Sequence, residues 1–362
     1  MFTKNKKELL IHIGAGKTGT TSLQHFLWAN RRALQRHGIL YPDLGVVSGA
    51  HHLLSPHHPP FLDWKFISAK DWAPDLYAKT KQRALISSEL ASNAAPDVIR
   101  PFAEHVNQHF NTKIVIYVRR QDHWMVAAYS QQVKAGTQRL DFPSSLGHMF
   151  RGANLVGRMS VWIEAFGADN VIVRPYERGQ LVGGDIRSDF LSQVLAIDDD
   201  ANFKWTNANE NPRLALCALE YKRMINNVVP VPAESNAFID PLLAYSAAED
   251  QNSTAIYHES NLISPTERNM ILERVDDGNR WVASKLMGRA DGVLFIEPRP
   301  EQDPGWLPPV VTSDDLARIS TYFSAKGYRK SLMQCIEKTL ETNRFEAYRY
   351  AQTLAASFGR KL

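Results

Sequence analysis

Cysteine is nearly absent. Cys217 and Cys335 are the only two in 362 residues, far apart and each within helix-like sequence. A disulfide framework is excluded, and two buried thiols in a reducing compartment are expected. Long apolar runs are missing too, since none approaches the roughly 20 residues that span a bilayer. Lys4, Lys6 and Lys7 precede the apolar run Leu9 to Ile13, which is the order of a signal peptide. That run is too short and leads straight into a glycine loop, so it reads as a strand. Charge of one sign is also scarce: the formal net charge is +4 and scattered along the chain. This argues against a nucleic-acid partner while suiting a protein that handles small polyanions. A cytoplasmic protein without a membrane-spanning segment is expected. The sequence holds no internal repeat and no low-complexity tract.

The first half alternates short apolar runs with helical periodicity, the order of a parallel α/β sheet. Strands are expected at Leu9 to Ile13, Ala84 to Ser87, Ile114 to Val118 and Val171 to Val173. Helices are expected from Leu23 to Leu34 with Gly38 after the last turn, and from Pro96 to Phe110, Asp122 to Ala135, Asn154 to Phe166 and Asp185 to Leu195. Residues 45–75, rich in His, Pro and Trp, interrupt this rhythm, and insertions of that length inside a compact domain are commonly functional. Beyond about residue 205 strand signals fade, and helical patterns occupy 212–227, 265–287 and 313–358. Five prolines between Pro298 and Pro309 mark a linker. The expected fold class is α/β, a P-loop-type parallel sheet flanked by helices with a largely helical C-terminal part. Its expected division is a ligand-binding core over 1–200 carrying the 45–75 insertion, a helical extension over 201–297, the Pro-rich linker over 298–309 and a helical tail over 310–362.

The most informative segment is Ile13-Gly14-Ala15-Gly16-Lys17-Thr18-Gly19-Thr20-Thr21-Ser22. It follows a strand and opens a helix, the setting of a phosphate cradle. Glycines let the backbone curl so that several N–H groups converge on one anion. Lys17 adds a point charge, and Thr18, Thr20, Thr21 and Ser22 add hydroxyl donors. An ordinary glycine turn with a threonine cap is the competing structural reading, disfavoured by the lysine and the four hydroxyls together. A Walker A loop requires glycine five positions before its Gly-Lys pair, where this chain has Ile11. A Walker B strand is lacking as well: the apolar run 114–118 ends in arginine rather than aspartate.

What stands here, Gly-Lys-Thr-Gly-Thr-Thr-Ser-Leu-Gln, resembles the 5′-phosphosulfate loop of sulfotransferases that use 3′-phosphoadenosine 5′-phosphosulfate (PAPS). The core of that family's loop is Lys-[Ser/Thr]-Gly-Thr-Thr followed by a helix. A second segment is similar. The family follows a central strand with an arginine and then a serine, which together hold the 3′-phosphate. Here the strand at 114–118 runs into Arg119-Arg120-Gln121-Asp122 and then Tyr129-Ser130, with Ala128 at the strict serine position. Trp162 to Glu177 also resembles the helix, turn and strand of bacterial members. The likeness covers roughly residues 8–200, and the Arg-Lys-Gly-x-x-Gly segment of the cytosolic animal branch is absent. The resemblance, to the bacterial carbohydrate-type branch, implies PAPS as co-substrate, its product nucleotide PAP and no metal. It implies that Gly14, Gly16, Lys17, Thr18, Gly19, Thr20, Thr21 and Ser22 surround the 5′-phosphosulfate, with Arg120 and Ser130 at the 3′-phosphate. Strand alternation sends Arg119 to the opposite face.

Sulfuryl transfer needs a cation at the leaving oxygen and a base for the acceptor. Lys17 suits the first role. Glu89, at the carboxyl end of the strand Ala84 to Ser88, suits the second, and Ser-Ser-Glu-Leu-Ala-Ser is similar to the segment carrying the glutamate base in heparan-type sulfotransferases. A solvated glutamate capping a turn is the plainer alternative. His51 and His52 are competing bases within the insertion. With His57 and His58 they hint at zinc, but no acidic or cysteine ligand completes a recognisable spacing. Trp64 and Trp72 either stack on a sugar ring or close the loop onto the core. The expected activity is therefore sulfuryl transfer from PAPS to a hydroxyl or amine of an acceptor, with a glycan favoured. A Mg-ATP-dependent P-loop kinase or nucleotide hydrolase, and a non-catalytic nucleotide-binding relative, are the alternatives.

Overall fold

The computed structural model describes residues 6–60, 62–198, 201–205, 213–252, 262–342 and 345–360. Lys4, and position 212 at the start of one expected helix, lie outside the described residues. The chain forms two compact units. The first comprises Met1–Gln121, Asn154–Glu210 and Ile271–Arg299, and the second Asp122–Ala153, Asn211–Met270 and Pro300–Leu362.

The first unit is built on a five-stranded parallel sheet: β1 (Lys7–His12), β2 (Ile39–Leu40), β3 (Arg83–Ser87), β4 (Phe110–Val118) and β5 (Val171–Pro175), in the order β2-β3-β1-β4-β5. The fold class is α/β, as the apolar runs indicate. Strand β2, only two residues long, carries too short a pattern to be read from sequence. Helices α1 (Thr20–Ala29), α2 (Arg31–Arg36), α3 (Ala69–Lys79), α4 (Pro96–His109), α7 (Leu155–Phe166) and α8 (Ile186–Asp189, continued by a π turn at Phe190–Val194) flank the sheet.

Both faces of the sheet are covered, and the period of two along each strand divides the core in two. Leu9, Ile11, Ile86, Ile114, Ile116 and Val173 pack against α3, α4 and α7 through Trp72, Leu76, Ile99, Phe102, Met159 and Trp162. Leu10, Leu85, Val115 and Tyr117 face the other way, onto Leu23, Phe26, Leu27 and Leu34 of α1 and α2 and onto Phe190. Trp72 therefore belongs to the core. The single helix expected over 23–34 is broken at Asn30. That side chain donates to the carbonyls of Phe26 (2.9 Å) and Lys204 (3.0 Å) and accepts from the Lys204 amide (2.7 Å). An asparagine bonding to backbone in this way competes with the helix ladder.

The strand order decides where a ligand can sit. From β1 the chain moves to one side to form β2 and β3, then crosses to form β4 and β5 on the other. The crevice outside the carboxyl ends of β1 and β4 is therefore the switch point at which open parallel sheets bind ligands.

The second unit is helical: α5 (Gln121–Lys134, whose first residue belongs to the first unit), α6 (Phe142–Ala153), α9 (Leu216–Val228), α10 (Pro232–Asn236), α11 (Ile239–Asn252), the start of α12 (Pro265–Leu286), and α13 (Ser313–Ala325), α14 (Arg329–Thr342) and α15 (Phe345–Ser357). The one helical pattern over 313–358 thus resolves into three helices, the first ending before Gly327 at φ 81°. Among the described residues no helix is long and apolar enough to cross a membrane.

Within this unit Lys222 is fully buried, donating to Asn226 Oδ1 (2.6 Å) and Ser235 Oγ (2.7 Å). Burial pushes its pKa down to about 8. The unfolded chain then binds more protons than the folded one between about pH 8 and the free-lysine value near 10.4, so stability conferred at this site rises with pH across that window. Urea denaturation of wild type and Lys222→Met is expected to show the difference between them moving in favour of the wild type from pH 8 to 10. A pH-independent difference contradicts the assignment.

Candidate functional site

The loop between β1 and α1 continues the pairing of the sheet before it curls. Ile13 N donates to Val115 O (2.9 Å), Ala15 N to Tyr117 O (2.9 Å), and Tyr117 N to Gly14 O (2.7 Å). Gly14 has φ 102°, Lys17 φ 70° and Gly19 φ 74°. A side chain at Gly14 would meet Glu89 Cβ at 3.0 Å and Glu89 Cα at 3.1 Å, so glycine is required both for the conformation and for the close approach of β3's end. At Gly16 an added Cβ would meet nothing within 4 Å, which places that part of the loop against open space.

Helix α1 starts at Thr20 with Gly19 as its cap, no side-chain cap bond and no acidic residue in its first turn. Its first intrahelical bond runs from Leu23 N to Gly19 O (3.1 Å). The amides of Thr20, Thr21 and Ser22 therefore point out of the helix end, where the helix dipole favours an anion. Thr21 is exposed, Lys17 and Ser22 are half-buried, and Thr20 is buried. Thr18 differs from its neighbours. Its buried hydroxyl donates to the Ala15 carbonyl (2.6 Å), so it closes the loop on itself.

Glu89 follows β3 through Ser88, whose amide donates to His12 O (2.9 Å). The Glu89 carboxylate is held on both sides: Gln24 Nε2 donates to Oε2 (2.7 Å), and His52 Nε2 lies 3.9 Å from Oε1. His52 Nδ1 is 2.9 Å from Ser88 Oγ, and the ring stacks on Trp64 at 5.7 Å. Burial pushes the His52 pKa down, with the Glu89 charge opposing it. The two candidate histidines are thus separated by structure. His51 is buried, accepts at Nδ1 from the Ser87 amide (3.1 Å) and donates from Nε2 to the Pro42 carbonyl (2.9 Å). Burial lowers its pKa to about 4. With both ring nitrogens engaged, His51 is framework, and His52 is the histidine that faces Glu89.

The arginines depart from the sequence expectation. Arg120 is 4% exposed and bonded to Glu297, through its carboxylate (3.0 Å) and carbonyl (3.0 Å), and to the Pro298 carbonyl (3.1 Å). It is Arg119 that reaches the loop, with Nη1 3.4 Å from the Lys17 carbonyl and the guanidinium 6.0 Å from the Tyr176 ring. The reason is local: β4 ends at Val118, so strand alternation no longer governs residues 119 and 120. Tyr176 in turn covers Gly19, where an added Cβ would meet its ring at 3.0 Å. Ser130 lies half-buried on α5 in the second unit. Its neighbour Tyr129 donates to the Leu140 carbonyl (3.2 Å).

Glu89 and His52 therefore meet at the carboxyl end of β3, against Gly14 of the loop that also carries Lys17. Gln24, Arg119 and Tyr176 complete this group and were not singled out from sequence. Gln24 is detectable in principle, because it is a polar residue on the buried face of α1 between Leu23 and Phe26 and one turn from Thr20. The insertion also supplies a row of rings, His58 on Phe66 (4.1 Å), Phe66 by Trp64 (6.2 Å) and Trp64 on His52, that leads to Glu89. Among the described residues no group of three His, Cys, Asp or Glu side chains is gathered as metal ligands.

This geometry gives the two arginines different duties. Arg119→Ala is expected to weaken pyrophosphate binding roughly 10- to 150-fold, the effect of losing one charge-assisted contact, and to leave the melting temperature nearly unchanged. Arg120→Ala is expected to cost about 1.5–3 kcal/mol of stability and little pyrophosphate affinity. Calorimetry and thermal melts on both variants check this, and the reverse pattern contradicts it.

Over 142 residues the chain is 32% identical to an uncharacterized protein of Archaeoglobus fulgidus, an alignment spanning 39% of this chain and 38% of the relative. The chain thus spans less than two fifths of that relative's length. No family model and no solved structure matches it.

Proposed function

We propose that this chain is a sulfotransferase that binds PAPS at the loop of residues 13–19 and transfers its sulfuryl group to a hydroxyl or amine of an acceptor, with a glycan as the favoured class. One observation carries the reading: Glu89 seats its Cα and Cβ directly on Gly14, in a loop whose lysine and open helix end suit an anion. A base and an anion cradle in contact are what a transfer from an anionic donor to a neutral acceptor requires.

The roles follow from position. Gly16 leaves space for the donor's phosphosulfate, and Lys17 with the first-turn amides of α1 neutralises the charge that gathers on the leaving oxygen. Glu89 takes the acceptor's proton as the acceptor atom bonds to sulfur and the bond between sulfur and the bridging phosphate oxygen breaks. The products are the sulfated acceptor and PAP. His52 borders the same carboxylate, and Trp64 lines the approach for a ring-bearing acceptor. Arginines rather than an acid at the end of β4 support a metal-free reaction over one built around a phosphate-bound magnesium ion.

Glu89→Gln is expected to lower turnover with PAPS roughly 10²- to 10⁴-fold while PAP affinity stays close to normal. Lys17→Ala is expected to lower it at least ~100-fold. His51→Ala acts through stability, and His52→Ala costs less turnover than Glu89→Gln. Near-normal sulfuryl transfer by well-folded Lys17 and Glu89 variants sinks the reading.

A further inference from the structure

Behind Glu89 runs a chain of buried polar groups that the transfer reaction does not itself explain. Gln24 Nε2 lies 2.7 Å from Glu89 Oε2 and 3.2 Å from Ser87 Oγ. Ser87 Oγ lies 2.8 Å from His12 Nδ1. Gln24, Ser87 and His12 are all buried.

Elementary hydrogen-bond chemistry gives this chain a direction. An ionised carboxylate only accepts, so the Gln24 amide must turn its nitrogen, not its oxygen, toward Oε2. The second hydrogen on that nitrogen then goes to Ser87 Oγ. With Ser87 Oγ accepting from Gln24, its one hydrogen is available to His12 Nδ1, which lies within bonding distance. In that arrangement His12 carries its ring proton on Nε2, which has no hydrogen-bond partner, and the imidazole packs edge-on with the rings of Tyr117 (6.1 Å between centroids) and Phe190 (5.6 Å). Burial pushes the His12 pKa down to about 3, against a backbone hydrogen bond to Gly14, so the ring stays neutral at ordinary pH.

We propose that His12, Ser87 and Gln24 are positioning residues for Glu89: their hydrogen bonds run one way, occupy Oε2, and leave Oε1, the oxygen toward His52, to take the acceptor's proton. The identity of that acceptor reaction rests on the sulfuryl-transfer reading, whereas the relay is a property of the chain alone. The other groups around the carboxylate are His52 from the insertion and Tyr41 beyond β2, while Lys17 stands on the adjoining loop. Burial, and then the Glu89 charge, push the Tyr41 pKa up, and its hydroxyl is donated to the Gly49 carbonyl (2.9 Å), so it stays neutral. With a ring lacking an acceptor at position 12, Ser87 would turn its hydrogen to the Gln24 oxygen. The amide would rotate, and Glu89 would lose its donor.

Isotope-edited infrared spectroscopy on full-length protein carrying carboxyl-labelled glutamate, with Glu89→Gln to assign the band, follows protonation of this carboxylate without any substrate. Gln24→Leu and His12→Phe are expected to raise the proton affinity of Glu89 about 10- to 100-fold, the effect of losing one hydrogen bond to a charged group. His12→Asn, whose side-chain oxygen can take the Ser87 hydrogen, is expected to stay near wild type, a rescue that packing alone does not predict. In PAPS assays the rising limb of the kcat–pH profile moves to higher pH in the first two variants while PAP affinity is retained. Where His12→Phe does not fold, Ser87→Ala interrupts the same relay. Unchanged Glu89 protonation in folded Gln24→Leu and in the folded position-12 or position-87 variant overturns the proposal. Raised proton affinity in a chain whose wild type transfers no sulfuryl group supports the relay and overturns the sulfotransferase reading instead.

Discussion

The close seat of Glu89 on Gly14 is the constraint from which the rest of the site follows. Strand β3 ends beside β1 with Ser87 paired to His12, and one step later the chain must pass over the curled loop. A Cβ at position 14 would lie 3.0 Å from that of Glu89, so only a glycine backbone lets the Glu89 main chain pass there. The same residue pairs through its carbonyl with Tyr117 of β4, which fixes the loop against the neighbouring strand. One position thus joins the ends of three adjacent parallel strands, and it seats Glu89 directly on the glycine loop.

Holding a carboxylate at the partly buried end of a strand carries an electrostatic cost that the surroundings must offset. Gln24 meets one oxygen and His52 borders the other, while Lys17 and Arg119 stand with the loop. Arg120, by contrast, is spent on Glu297 and two carbonyls, which ties the segment near residue 297 to the end of β4. Two adjacent arginines of the same chemistry thus serve different ends because the strand stops just before them.

Much of the sheet was legible because buried parallel strands are β-branched and apolar throughout, as in Ile114 to Val118, and because the glycine loop is a contiguous signal. Strand β2 was not legible, since two residues carry no period, and the break at Asn30 depends on a bond to Lys204 far along the chain. Within the site, Lys17 and Glu89 stood out as charges at strand ends. Gln24 and His12 did not, because each interrupts an otherwise apolar pattern by a single residue and its partner arrives from β3 only in the fold. His51 and His52 are indistinguishable as a pair in sequence. Only the seats of their ring nitrogens, Pro42 and Ser87 for one and Ser88 and Glu89 for the other, tell them apart.

The central claim, that the loop at the sheet's switch point receives a phosphosulfate nucleotide without a metal, is tested most directly by calorimetric titration of the intact chain with PAP and with 5′-AMP, each in excess magnesium and in excess EDTA. The account predicts PAP binding that is the same in both conditions and roughly 10- to 150-fold tighter than 5′-AMP, the contribution of one charge-assisted contact from Arg119, the arginine beside the loop, to the extra phosphate. Binding that requires magnesium, or equal affinity for the two nucleotides, contradicts it.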